Sequence, residues 1–336
     1  MKNTFYVIAL NRELCGIISI VTSVMNHTIY AIRNNFIPIV DLKHHNNMYF
    51  RHNRKYRDNV WEYFFKQPSN YSLKDIEKYS DFNVIISNDS HDTNSGFDLY
   101  VSDIPVDLNS NNERVLKIKK YYQKYFRFSD ELCTYVDNKY EQLLHKNKLK
   151  KENILGVLLR GTDYSERKSP GEHIQPSQKK IFTHIQNVIN KNPQIKKIYL
   201  ATEDLKIYSA FKEKFGEMLL ENTQYMYNQT YDEKKLLIGE IKTGILDHHY
   251  HLAFDYISSL YILSKLDFFI AGRCNGSLLV WLLSKGFKYF YIYNLGTYKK
   301  YSLSESIFSV KRSSDGQHLT LSILGIRVKL KKNQSR

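Results

Sequence analysis

Gly156-Val-Leu-Leu-Arg-Gly-Thr-Asp-Tyr164 decides the reading of this chain, because an apolar run breaks abruptly into Arg160, Gly161, Thr162, Asp163 and Tyr164. The uninterrupted apolar stretch from Ile154 to Leu159 predicts a strand covered on both faces, as in a parallel sheet. Ligands of such sheets sit beyond the carboxyl ends of the strands, so Arg160 and Asp163 are expected in a crevice. A guanidinium is permanently charged and its planar fork of donors suits phosphate oxygens, while a glycine lets backbone approach a ligand closely. Two readings follow from these residues: a site for a phosphorylated ligand, or a structural ion pair between Arg160 and Asp163.

The rest of the second half repeats the alternation. A helix from about Ser177 to Asn190 is introduced by Pro176, and the strand Ile198 to Thr202 ends in Glu203-Asp204 and leads into a helix through Phe215. Met218 to Glu221 reads as a further short strand. An amphipathic helix, Tyr250 to Leu266, precedes the strand Phe268 to Ala271, whose turn Gly272-Arg-Cys-Asn-Gly-Ser277 opens another helix, and Phe290 to Tyr293 is the last strand. The first half begins in the same way: strand Phe5 to Leu10, helix Ile17 to Asn34, strand Phe36 to Leu42. A strand, crossover helix and strand of this size form one parallel unit. Asp89 to Ser110 reads as a loop region with a brief strand near Leu99, and residues 112–148 as one or two helices. The expected architecture is α/β, with two doubly wound units, residues 1–150 and 151–305, facing across a cleft, and a tail at 306–336.

That tail carries seven Lys or Arg from Lys311 onward against a single Asp, with a turn at Ser313-Ser-Asp-Gly316 and an alternating run from Leu319 to Leu330. It reads as a short basic β-hairpin. Contact with an anionic inner-membrane surface is its functional reading, and a solvated edge guarded by lysines is the alternative.

Composition bounds the function. The 336 residues carry a formal charge of +15, which favours an anionic partner. No helix-turn-helix, zinc or RNA-binding motif accompanies that charge, so no specific nucleic-acid partner is expected. Three cysteines at unrelated spacings argue for a reducing compartment and against a thiolate metal site. The apolar run near the N-terminus, Leu14 to Met25, is too short to span a bilayer, so the expectation is a cytoplasmic protein with any membrane contact peripheral. Asp247-His-His-Tyr-His251 could suggest a metal, but adjacent His248 and His249 cannot both easily face one ion from a regular element, and none is expected.

Three strand ends of the second half carry comparable polar groups: Arg160 to Tyr164, Ala201 to Asp204 and Gly272 to Ser277. At these residues the chain resembles the fucosyltransferase superfamily of GT-B glycosyltransferases, which includes α1,2-, α1,6- and protein O-fucosyltransferases. Gly156-Val-Leu-Leu-Arg-Gly-Thr-Asp163 is similar to that group's first motif, Ile198-Tyr-Leu-Ala-Thr-Glu-Asp204 to its second, and Asp267-Phe-Phe-Ile270 with the following turn to its third. The resemblance covers about residues 154–285. It implies an inverting transfer of a sugar from a nucleotide sugar, GDP-fucose by default. Arg160 and a helix N-terminus suit the leaving diphosphate without metal or cofactor. The cytosolic character, basic surface and membrane-facing reading of the tail point to a glycan or lipid-linked oligosaccharide acceptor in bacterial surface polysaccharide or lipo-oligosaccharide synthesis.

It further implies a donor site of Arg160 and Gly161, Thr202, Glu203 and Asp204, and Arg273, Asn275, Gly276 and Ser277. Asp163, Glu166 and Glu172 are the candidates for the general base, since family members place that carboxylate in the loop after the first motif. Gly161 stands where the family commonly has a second arginine, and Leu158 where it often has histidine. These departures keep two alternatives open: another GDP- or UDP-hexose as donor, and a non-catalytic glycan- or nucleotide-binding relative. Candidates for the acceptor side or cleft are Asp41 and His44 at the end of the second strand, His251 and Asp255, and Trp61, whose aromatic segment either packs as a helix face or stacks on a sugar.

Overall fold

The computed structural model describes residues 3–110, 112–161, 164, 168–221 and 244–299, and the backbone of 308–312, 318–323 and 326–331. Along the chain run β1 (Thr4–Ala9), α1 (Ile17–Arg33), β2 (Ile37–Asp41), α2 (Val60–Phe64), α3 (Leu73–Lys78), β3 (Asn83–Ile86), α4 (Glu113–Tyr125) and α5 (Asp130–Lys146). There follow β4 (Ile154–Leu158), α6 (Gln178–Lys191), β5 (Lys197–Ala201), α7 (Leu205–Phe215), α8 (His248–Lys265), β6 (Phe268–Gly272), α9 (Asn275–Leu283) and β7 (Tyr289–Tyr293). The last three strands are β8 (Phe308–Arg312), β9 (His318–Ile323) and β10 (Ile326–Lys331). Among the described residues no helix is long and apolar enough to cross a membrane.

The expected parallel α/β architecture is present. One sheet has the order β2-β1-β3 and a second the order β5-β4-β6-β7, and all neighbours in both are parallel. The second order places β4 beside both β5 and β6, which brings the three polar strand ends to one edge. Residues 1–168 and 173–296 form one compact unit, and residues 169–172 with 297–336 a second.

A single core in the first unit explains why the two sheets do not separate. Apolar residues of β1, α1 and α4 belong to the same buried cluster as those of α8, α9 and one face of the second sheet. The opposite face of that sheet buries Leu155, Val157, Ile198 and Ile270 against Ile181, Ile185 and Phe211 of α6 and α7 in a cluster of its own. Helix α1 is enclosed on almost every side, so its polar residues are satisfied internally. His27 bridges the Tyr6 hydroxyl and the Ser90 carbonyl, both at 2.9 Å, and Thr28 donates to the Val24 carbonyl at 2.8 Å.

Several elements differ from the sequence reading. Strand β3 was not expected, since its four residues are exposed and show no alternation, yet it pairs with β1. Leu99 is not in a strand. It is fully buried, and Asn26 takes the place of a sheet neighbour by accepting its N–H at 3.0 Å and donating to its carbonyl at 3.4 Å. The short strand read at Met218 to Glu221 is a 3-10 turn followed by one bridge between Leu219 and Ile198. In the second unit, the run from Leu319 to Leu330 divides into β9 and β10, and β8 pairs on the other side of β9, which gives a three-stranded antiparallel sheet in place of a single hairpin.

Candidate functional site

The carboxyl edge of the second sheet is built around Arg160. Its Nε donates to Glu203 Oε1 at 2.8 Å, and both side chains are largely buried, 15% and 6% exposed. The described ion pair of Arg160 is therefore with Glu203, two residues after β5; Asp163 lies outside the described residues. The Arg160 guanidinium also lies 4.9 Å from the Tyr164 ring centroid and 5.9 Å from that of Tyr256. Low-dielectric walls of this kind strengthen the attraction of a cation for an anionic ligand.

Side chains close in on glycine at three places on this edge. A Cβ at Gly161 would run into the Asp204 carboxylate, one at Gly272 into the Gln175 amide, and one at Gly276 into the Tyr256 hydroxyl. Gly161 therefore serves close packing of the β4 loop against the start of α7. Asp204 is the N-cap of that helix, its Oδ1 accepting the N–H groups of Lys206 at 2.8 Å and Ile207 at 3.1 Å. Thr202 Oγ1 accepts the Asp204 N–H at 3.2 Å, which fixes the same turn.

The turn after β6 is also committed to structure in part. Arg273 is buried and donates to the carbonyls of Ser102 at 2.9 Å and Ile104 at 3.0 Å, so it clamps the 101–104 segment. Burial lowers its pKa, with Asp103 opposing. Ser277 is fully enclosed and forms a capping box with Cys274, donating to its carbonyl at 2.8 Å and accepting its N–H at 3.0 Å. Burial pushes the Cys274 thiol up, which keeps it protonated. Gly276 is buried, whereas Asn275, the first residue of α9, is half-buried where the opening turn of a helix presents backbone donors.

Two contributors carry no signal in the sequence. Tyr256 comes from the middle of α8, and burial raises its hydroxyl pKa strongly. Gln175 lies across the end of β6 and donates through Nε2 to the carbonyls of Arg273 at 3.0 Å and His173 at 3.2 Å; its Oε1 is buried without a hydrogen-bond partner. The two carbonyl acceptors fix the orientation of the amide. The His173 pKa is lowered by burial and then by the charge of Arg273.

The remaining candidates are distributed as follows. Glu166 lies outside the described residues. Glu172 belongs to the second unit, where its carbonyl accepts the Tyr298 N–H at 2.9 Å. Asp41 is buried at the end of β2, its Oδ1 accepting the N–H of Lys43 at 2.9 Å and its Oδ2 bonding to the ring of His44 at 2.8 Å. Trp61 is 2% exposed, donates to the Lys66 carbonyl at 3.0 Å and packs on Phe65 at 4.5 Å. His251 is exposed on the first turn of α8, and Asp255 on the next turn faces Lys139 at 3.9 Å, with burial raising its pKa.

No family model and no curated protein matches this chain. Among the solved structures it resembles are fucosyltransferases. Fucosyltransferase NodZ from Bradyrhizobium has 13% identity and a TM-score of 0.45, with 84% of this chain and 94% of that one covered. NodZ alpha-1,6-fucosyltransferase co-crystallized with GDP has 12% identity over 96% of this chain and 98% of that one, also with a TM-score of 0.45. POFUT1 in its apo form has 12% identity over 87% of this chain and 99% of that one, again with a TM-score of 0.45. Likenesses this distant assign no activity to this chain.

Proposed function

We propose that this chain is a glycosyltransferase that binds the diphosphate of a nucleotide sugar at the carboxyl edge of its second sheet, with GDP-fucose as the first donor to test. The observation that carries the reading is the buried Arg160–Glu203 pair, set among three glycines and beside the opening turn of α9. A diphosphate bound there meets a preoriented cation and backbone donors, the two features that stabilise a leaving diphosphate without metal. The acceptor in this reading is a glycan or lipid-linked oligosaccharide on the side of residues 1–150. The general base in this reading is Asp163 or Glu166. The ordered motif resemblance over residues 154–285 supports guanosine and fucose over other bases and hexoses.

The test is a thermal-shift titration with GDP, GDP-fucose, GDP-mannose, UDP and UDP-galactose on the wild type and on Arg160→Ala. A ligand at ~100 times its Kd stabilises a fold by about 2.7 kcal/mol. Guanine nucleotides are expected to stabilise the wild type and not the variant, and turnover of GDP-fucose with a glycan acceptor then completes the assignment. Stabilisation by uridine nucleotides alone would discard fucose, and no response to any nucleotide would overturn the site.

A further inference from the structure

A second surface of the first unit joins a modest excess of positive charge to exposed aliphatic groups. Residues 51–57, Arg-His-Asn-Arg-Lys-Tyr-Arg, follow β2 as back-to-back tight turns in which Arg54 N–H bonds to the Arg51 carbonyl and Arg57 N–H to the Arg54 carbonyl, each at 3.0 Å. Every residue of that segment is exposed. Asn53 and Tyr56 adopt left-handed φ values of 57° and 60°, which fold the four cations Arg51, Arg54, Lys55 and Arg57 into a short knuckle. Asp58 pairs with Arg54 at 2.7 Å, so it offsets one of them. The Tyr56 ring is 49% exposed, with the Lys55 ammonium 4.9 Å from its centroid, and its hydroxyl donates to Asn46 at 2.9 Å.

Asp247 ties this knuckle to a second loop. Its Oδ1 accepts the His52 N–H at 2.5 Å and its Oδ2 lies 3.8 Å from Arg51 Nε. The two residues before Asp247 are Ile245, 49% exposed, and Leu246, 65% exposed. Single exposed apolar side chains are ordinary, but an adjacent aliphatic pair held beside a cationic, tyrosine-bearing turn is a combination that a soluble anion has no use for. It fits a bilayer surface, where aliphatic tips enter the acyl boundary, tyrosine sits at headgroup level and Lys and Arg meet lipid phosphates.

We infer that the knuckle at residues 51–57 and the Ile245-Leu246 tip together form a peripheral docking surface for an anionic lipid bilayer. The sequence pointed to the C-terminal tail for the same partner, and these residues are not part of that tail; the inference goes beyond the sugar-transfer reading because it is tested by binding alone.

The experiment is flotation of the full chain with vesicles of phosphatidylcholine alone and of phosphatidylcholine containing about a third phosphatidylglycerol, a composition chosen for its surface charge. The wild type is expected to float only with the anionic vesicles. Each basic residue near such a surface contributes about a fivefold factor, so Lys55→Ala/Arg57→Ala should lower partitioning roughly 30-fold. Ile245→Ser/Leu246→Ser should lower it at least about tenfold by removing apolar contact. A Lys329→Ala/Lys331→Ala pair in the tail should have the smaller effect. Lys55, Arg57, Ile245 and Leu246 are exposed, and equal thermal midpoints confirm an intact fold. Failure of the wild type to bind anionic vesicles would overturn the inference. So would wild-type binding by Lys55→Ala/Arg57→Ala, or wild-type binding by Ile245→Ser/Leu246→Ser, which would reduce the surface to a general polyanion contact.

Discussion

Removing either member of the Arg160–Glu203 pair should reveal how tightly the candidate site is coupled to the fold. The Glu203 side chain is 6% exposed and that of Arg160 15%, so each single substitution takes a close counter-charge from a mostly desolvated group. Removing one partner of a buried pair costs about 3–5 kcal/mol, and the greater burial of Glu203 puts Arg160→Ala at the upper end and Glu203→Ala near 3 kcal/mol. In a chain of this size about 2 °C of Tm accompanies each kcal/mol, so Glu203→Ala should lower Tm by about 6 °C. The double variant removes both charges of the pair. It should be less destabilised than the sum of the singles by about 2 kcal/mol or more, read from urea denaturation of all four proteins. GDP adds a second readout: it supplies the missing counter-charge in Glu203→Ala and should still stabilise that variant, while Arg160→Ala loses the response. Additivity within about 0.5 kcal/mol would refute the coupling, and equal stabilisation of Arg160→Ala and wild type by GDP would refute the placement of the diphosphate.

Gly161→Ala forces a methyl into the Asp204 carboxylate that caps α7. The expected cost is about 1–3 kcal/mol from overpacking and a displaced cap, measured by urea denaturation; an unchanged midpoint would show that the loop shifts freely. Asp267, just before β6, is placed between Lys151 at 2.8 Å and Lys288 at 2.9 Å. Burial acts to raise its pKa, and the hydrogen bonds from the two lysines outweigh it and hold the carboxyl below its usual value of 3.8. A carboxyl depressed in the folded state stabilises the fold above its unfolded pKa, and that stability is lost as pH falls through the folded value. Asp267→Asn should therefore flatten the dependence of Tm on pH below about 4, and a wild-type slope in that variant would assign the dependence to other carboxylates.

Much of the fold was written in local pattern. Unbroken apolar runs of strand length at 154–159 and 268–271, each followed by polar residues and then a helical segment, specify parallel strands whatever the rest of the chain does, because burial on both faces leaves no alternation. The polar break after each run likewise placed Arg160, Glu203 and Gly276 at strand ends. Sequence alone did not determine what those polar groups bind. Arg160 pairs with Glu203, 43 positions away, because β5 lies next to β4. Arg273 faces the carbonyls at 102 and 104 because the turn after β6 buries that segment, and a desolvated carbonyl must find a donor. Ser277 closes the end of its own helix. Tyr256, from the middle of α8, and Gln175, in a loop that crosses β6, reach the site only through packing. Apolar periodicity is a property of neighbours along the chain and survives in the sequence; the partner of a buried charge or amide depends on which distant backbone the fold strips of water, and only the tertiary structure decides that.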